Sequence, residues 1–121
     1  MFEKLDAAAT KTNSFVWVGL DPSIDRAPIN DIAAFNRAII DATKDAVSAF
    51  KPQFAYYEAM GIKGFKILEN TIRHIRAVAP THIIIGDGKR GDISTTATAY
   101  ARAMYEIWAV SYTHLTLPTK A

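Results

Sequence analysis

The sequence predicts an α/β fold in which helices cover a parallel sheet. Three observations predict it. Short β-branched and aromatic runs alternate with longer segments whose apolar residues recur every three or four positions. One run, His82-Ile83-Ile84-Ile85, is continuously apolar, the pattern of a strand buried on both faces of a parallel sheet. The composition is that of a globular domain: 121 residues, 50% apolar and 21% charged.

In chain order, the first thirteen residues read as a short helix or arm. Phe15 to Leu20 reads as a strand and stops at the turn residues Asp21-Pro22-Ser23. Asn30 and Asp31 are suited to cap a helix whose apolar face is Ile32, Phe35, Ile39, Ala42, Ala46 and Phe50. A second strand fits Phe50 to Tyr57. A second helix fits Ile62 to Ala79, with the stripe Ile62, Phe65, Leu68, Ile72, Ile75 and Val78, and Pro80 ends it. The third strand starts at His82 and runs into Gly86-Asp87-Gly88-Lys89-Arg90-Gly91-Asp92-Ile93. A third helix fits Ser94 to Trp108. Strand–helix alternation at this spacing means βαβ units.

Composition also excludes function classes. There is no cysteine, so no disulfide scaffold, thiol nucleophile or Cys-bound metal. Formal net charge is +2, too small for a basic nucleic-acid face. No apolar run reaches the roughly 18 residues of a membrane span. The opening Met1-Phe2-Glu3-Lys4-Leu5-Asp6 lacks a signal peptide's apolar block. One domain in a reducing cytoplasm is the expectation. His74 and Arg26, Arg73 and Arg76 read as surface groups, His82 as structural, and Trp17 and Trp108 as packing aromatics. No His, Asp and Glu spacing indicates a metal site.

The chemistry concentrates at strand ends. Asp87 and Lys89 are two apart, so a strand presents them on one face. Asp92 follows in the next loop. Asp21 lies just past the first strand, and Lys51 lies within the second between apolar neighbours. In parallel α/β proteins the carboxyl ends of strands are where sites are built. A buried Lys51–Asp87 pair could be merely structural. Such pairs stabilise weakly, however, and five charges converging on strand ends read better as a site. An ammonium fixed beside carboxylates can stabilise a developing carbanion and deliver a proton to it.

Gly86-Asp87-Gly88-Lys89-Arg90-Gly91 also matches the dinucleotide fingerprint G-x-G-x-x-G. That reading places Asp87 where it would repel a pyrophosphate. It also puts the ribose-binding acid at Glu106, inside a helix rather than at a strand end.

Asp87-Gly88-Lys89-Arg90-Gly91-Asp92-Ile93 resembles the Asp-x-Lys-x-x-Asp-Ile signature of the orotidine 5′-phosphate decarboxylase family. Val18-Gly19-Leu20-Asp21-Pro22-Ser23 resembles its first-strand motif. Phe50-Lys51-Pro52-Gln53-Phe54-Ala55-Tyr56-Tyr57-Glu58 resembles its second-strand motif in the bacterial Lys-Pro-Gln branch. The similarity runs from about Phe2 to Trp108. It implies a (β/α)8 TIM barrel, of which residues 1–109 would be the N-terminal part, about three βα units. A whole barrel takes roughly 250 residues.

The resemblance implies conversion of orotidine 5′-phosphate to uridine 5′-phosphate in pyrimidine biosynthesis, with no metal or organic cofactor. It implies that Asp87 presses on the substrate carboxylate and that Lys89 is the proton donor. Lys51 and Asp92 would complete a Lys-Asp-Lys-Asp array. Asp21 and Lys51 would hold ribose hydroxyls. It further implies a homodimer in which Asp92, Ile93 and Thr96 act on the partner's substrate. Gly88 replaces a small non-glycine residue, and Ser94 replaces a common glycine and is suited to cap the third helix. Two alternatives remain. One is the related magnesium-dependent decarboxylase of 3-keto-gulonate 6-phosphate, which has an acid near the position of Lys51. The other is a non-catalytic fragment.

Residues 110–121 carry neither period. Val110-Ser111-Tyr112-Thr113-His114-Leu115-Thr116-Leu117-Pro118-Thr119 resembles one reading frame of a sequencing-library adapter. The expectation is that this segment is a non-native tail and that the chain alone is inactive.

Overall fold

The computed structural model describes residues 2–23, 25–26, 29–91 and 93–116. Helix α1 (Phe2–Thr12) precedes strand β1 (Trp17–Leu20), helix α2 (Ile29–Thr43) and strand β2 (Ala49–Pro52). A short helix α3 (Phe54–Glu58) leads into α4 (Gly61–Val78). Strand β3 (Ile83–Gly91), helix α5 (Ser94–Arg102), a π-helical turn (Ala103–Ile107) and strand β4 (Tyr112–Thr116) follow. The four strands form one sheet in the order β1-β2-β3-β4. Every neighbouring pair is parallel. Strands and helices thus alternate along a sequentially ordered parallel sheet, a partial α/β arrangement.

Residue parity sorts the sheet into two faces. Leu20, Phe50 and Ile84 enter the larger core with Ile32, Ile40, Tyr57, Leu68 and Ile75 from the helices. Ala49, Ile83 and Ile85 face the other way and pack on Ala8 of α1. Each fully buried Phe, Leu or Ile side chain contributes about 1.5–3 kcal/mol. This alternation decides where the charges go. Lys51 and Gln53 share the parity of Ala49, Asp87 shares that of Ile85, and Asp21 shares that of Gly19, the register partner of Lys51.

Several boundaries differ from the sequence expectation, each for a physical reason. The strand predicted over 50–57 ends at Pro52, and 54–58 is helical. Proline has no N–H for the ladder, and the Gln53 side chain caps α3 by accepting from the Ala55 N–H at 3.4 Å. Asn30 and Asp31 lie within the first turn of α2, which begins at Ile29. Ser94 is the first residue of α5 rather than its cap, a place taken by Ile93.

The predicted face of α2 is rotated. Ile32, Asn36 and Ile40 are buried, while Phe35 is 57% exposed. Asn36 holds the inward position because its Nδ2 donates to Tyr57 Oη at 3.0 Å and to Thr71 Oγ1 at 3.1 Å. Phe35 and Ile39 instead line a groove of about 330 Å³ beside β1. Trp17 is 45% exposed on β1, whereas Trp108 packs on Phe54 and Phe65.

Tyr112–Thr116, which the sequence sets apart from the barrel, pairs with β3 in parallel register. Residues 117–121 of that tail lie outside the described residues. No helix among the described residues is long and apolar enough to cross a membrane.

Candidate active site

The site grows out of the carboxyl end of β3. Its register with β4 is regular at Ile85 and Gly86, then resumes at Arg90 and Gly91 after a shift. Asp87, Gly88 and Lys89 occupy this bulge. Bulges re-aim the side chains of the residues they contain. Lys89 takes a φ of 45°, in the left-handed region that L-residues other than Gly, Asn and Asp rarely adopt. Such a conformation costs about 1–3 kcal/mol and persists where the surroundings fix it.

Arg90 supplies part of that fixation. Its guanidinium pairs with Glu58 on α3 and lies 4.6 Å from the Tyr100 ring centroid on α5. The strand is thus anchored to both flanking helices immediately after Lys89.

Asp87 is fully buried, and three donors converge on its Oδ2. Lys51 Nζ approaches to 3.2 Å and Gln53 Nε2 to 2.9 Å. Lys89 Nζ forms the third bond. The two lysines differ in exposure: the Lys51 side chain is 27% exposed and that of Lys89 is 64% exposed. Burial alone raises the Asp87 carboxyl. The hydrogen bonds and charges of Lys89 and Lys51 outweigh that effect and hold it below the usual carboxylate value. Asp87 is therefore an anion at neutral pH, with two cations beside it.

The structure brings Asp87, Lys89 and Lys51 together. Asp21 is exposed just beyond β1, on the same face. Its Oδ1 lies 3.6 Å from where a Cβ on Gly19 would stand. Ile93, at the cap of α5, and Thr96, in its first turn, are both exposed. Asp92 lies outside the described residues. Gln53 carries a contact that spacing alone does not assign. The available signal was its parity with Lys51 in a parallel sheet, and Gln53 and Asp87 are bridged in register.

Beneath the site, Tyr57 ties three elements together. Its hydroxyl donates to the Leu20 carbonyl at 3.1 Å and accepts from Asn36. Burial pushes the Tyr57 phenol well above its ordinary value, with Asp21 adding to the rise against the opposing bond from Asn36. This network fixes the end of β1, from which Asp21 extends.

The arrangement can hold a buried anion against two ammonium groups, one of them open to solvent. Among the described residues, no three His, Cys, Asp or Glu side chains gather to hold a metal ion. Among the described residues, the donors on Asp87 Oδ2 are two ammonium groups and an amide, which would repel a cation.

A family model described as orotidine 5′-phosphate decarboxylase / HUMPS family matches residues 14–121. The chain belongs to this family. It is 45% identical over 102 residues to the orotidine 5′-phosphate decarboxylase of Bacteroides fragilis, covering 79% of this chain and 37% of that protein. It is 45% identical over 111 residues to the Herpetosiphon aurantiacus enzyme of the same name, covering 86% and 40%. The structure of Leishmania donovani OMP decarboxylase superposes with a TM-score of 0.80 at 31% identity, covering 93% of this chain and 42% of that one. The chain thus spans about two-fifths of the length of the relatives it matches.

Proposed function

We propose that the complete protein decarboxylates orotidine 5′-phosphate to uridine 5′-phosphate, and that this chain carries its acid–lysine core. One observation carries the reading. An ionised, fully buried Asp87 is clamped by Lys51 and Lys89 at adjacent carboxyl strand ends, in a chain of this family.

In this reading the substrate carboxylate lies against Asp87, and repulsion between the two anions favours departure of CO2. The carbon–carbon bond breaks, and its electron pair stays on the ring carbon. The Lys89 ammonium stabilises that charge and then donates its proton to the same carbon. Charge preorganised around the developing anion is usually the largest catalytic term. Lys51 and Asp21 hold ribose hydroxyls. Asp92, Ile93 and Thr96 reach the site of a partner in a homodimer, a role for which the exposed positions of Ile93 and Thr96 are suited. The magnesium-dependent alternative is disfavoured because Lys51 brings a cation to Asp87. The cysteine-free chain suits a cytoplasmic setting.

We further propose that residues 110–121 are foreign to the gene. Sequencing the source DNA across codons 105–121 tests this. A reading frame that continues past Ala109 into further βα units supports it, and a native stop after these codons refutes it. Turnover of orotidylate tests the function. The complete gene product is expected to be active, and the 121-residue chain inactive. Lys89→Ala is expected to lower kcat of the complete enzyme about 10³-fold or more. Wild-type turnover in that variant removes Lys89 from the chemistry.

A further inference from the structure

We propose that Gln53 is a positioning residue that fixes the orientation of the Asp87 carboxylate and supports the anion that the two lysines hold. The inference rests on the decarboxylase reading for its kinetic consequence, and on geometry for its structural one.

Both ends of the Gln53 amide are occupied. Oε1 accepts from the Ala55 N–H at 3.4 Å and caps α3. Nε2 donates to Asp87 Oδ2 at 2.9 Å. The amide can have only one orientation here. A flipped group would set its carbonyl oxygen against the carboxylate and its NH2 against the Ala55 N–H, so both bonds would become repulsions. The main chain is held as well. The Gln53 N–H donates to the Leu20 carbonyl at 3.4 Å, and Gln53 is bridged to Asp87 in the sheet. The amide is therefore a fixed donor, whereas Lys89, with its 64% exposed side chain, can move.

Among the described residues, Lys51 from β2 and Lys89 from β3 place their charges on Asp87. Gln53 is the neutral donor among the three. It holds Oδ2 in place without adding a positive charge. When Lys89 gives up its proton, Lys51 and Gln53 still hold the carboxylate. Asp87 then stays ionised and in place through the step.

Two variants of the complete enzyme test this. Gln53→Leu keeps the bulk and removes both bonds. It is expected to lower kcat about 10- to 100-fold while KM changes less than about threefold. Gln53→Glu adds a group that donates to Asp87 only when it is protonated. Its activity relative to wild type is expected to rise as pH falls from 8 to 5.5, because the neutral carboxyl regains the O–H donor. A merely structural role for Gln53 would not produce that opposite slope. Wild-type kcat in Gln53→Leu, a loss confined to KM, or a flat ratio of Gln53→Glu to wild type would each overturn the proposal.

A direct readout separates this inference from the function. Carboxyl carbon NMR of Asp87 follows its titration whether or not the enzyme turns over. The midpoint is expected to rise in Gln53→Leu, and an unchanged midpoint overturns the role of Gln53. If orotidylate is not a substrate, the decarboxylase reading fails, and the titration still decides Gln53.

Discussion

At the amino end of β3, His82 Nε2 donates to the Lys44 carbonyl at 2.6 Å, and its ring stacks on Phe50. Beside it, the Arg76 guanidinium donates to the His82 and Ala109 carbonyls at 3.2 and 3.0 Å, and to Ser111 Oγ at 3.4 Å. At the carboxyl end of the same strand, Asp87 meets two ammonium groups and an amide. Both ends pair buried polar groups, although His82 Nδ1 is buried without a hydrogen-bond partner among the described residues. The amino end does so with neutral acceptors that tie loops to a helix. The carboxyl end concentrates opposite charges around one oxygen, beside a strained lysine backbone. The first arrangement is what stability alone requires. The second exceeds that need, since replacing charged clusters by apolar side chains is often neutral or stabilising. A strand can thus carry structure at one end and chemistry at the other.

The sharpest way to break this contrast is Lys51→Met, which keeps the chain length and removes one cation from Asp87. The variant loses a charge-assisted hydrogen bond, expected to cost about 1.5–3 kcal/mol in urea unfolding at pH 7. The acid limb should change too. The folded Asp87 carboxyl sits below its unfolded value, so its stabilisation is fully present above about pH 4. It is lost as pH falls through the folded value. With Lys51 gone the folded value rises toward the unfolded one, and the dependence of stability on pH below about 4 flattens. An unaltered acid limb would show that Lys51 does not govern Asp87.

Much of this was legible in the sequence. The run Ile83-Ile84-Ile85 reads as a buried parallel strand because it is short, β-branched and bounded by turn signals. Asp87 and Lys89 were placed together by spacing, and they do meet. The bulge and the left-handed φ at Lys89 were not legible, because they depend on register with a neighbouring strand. Phe54-Ala55-Tyr56-Tyr57-Glu58 has strand-like composition, yet it is helical. A side-chain cap from Gln53 and the missing N–H of Pro52 decide it, and both act locally against propensity. The face of α2 departs from hydrophobic periodicity because Asn36, a polar residue, takes the inward position that periodicity assigns to Phe35. Arg76 reads as a surface charge but is half-buried, since its three acceptors lie 6, 33 and 35 residues away in sequence.

Arg76 gives the second test, at the amino end. Burial lowers its guanidinium below the ordinary value, and its acceptors among the described residues are neutral. Arg76→Met keeps the apolar stem and removes the donors. The expected loss is about 1 kcal/mol in urea unfolding, because the His82 and Ala109 carbonyls lose a shared partner. In the complete enzyme kcat should stay within about twofold of wild type. A large fall in kcat would mean that the amino end communicates with the chemistry, and the division along β3 would not hold.

The smallest effect sharpens the comparison with an internal control. Arg73 lies one turn before Arg76 on α4 and pairs with Glu69 at 3.0 Å, four residues back. Both side chains are largely in water, at 73% and 50% exposure. An exposed pair of this spacing is worth about 0.3–0.5 kcal/mol. Arg73→Ala is therefore expected to cost no more than about 0.5 kcal/mol, and 0.5 M salt should remove most of that difference by screening. Arg76→Met should be insensitive to the same salt, because its partners are neutral. If the two arginines instead lose equal stability with equal salt dependence, burial is not what separates them. The amino end of the sheet would then be an ordinary solvated surface, and the contrast with Asp87 would reduce to exposure alone.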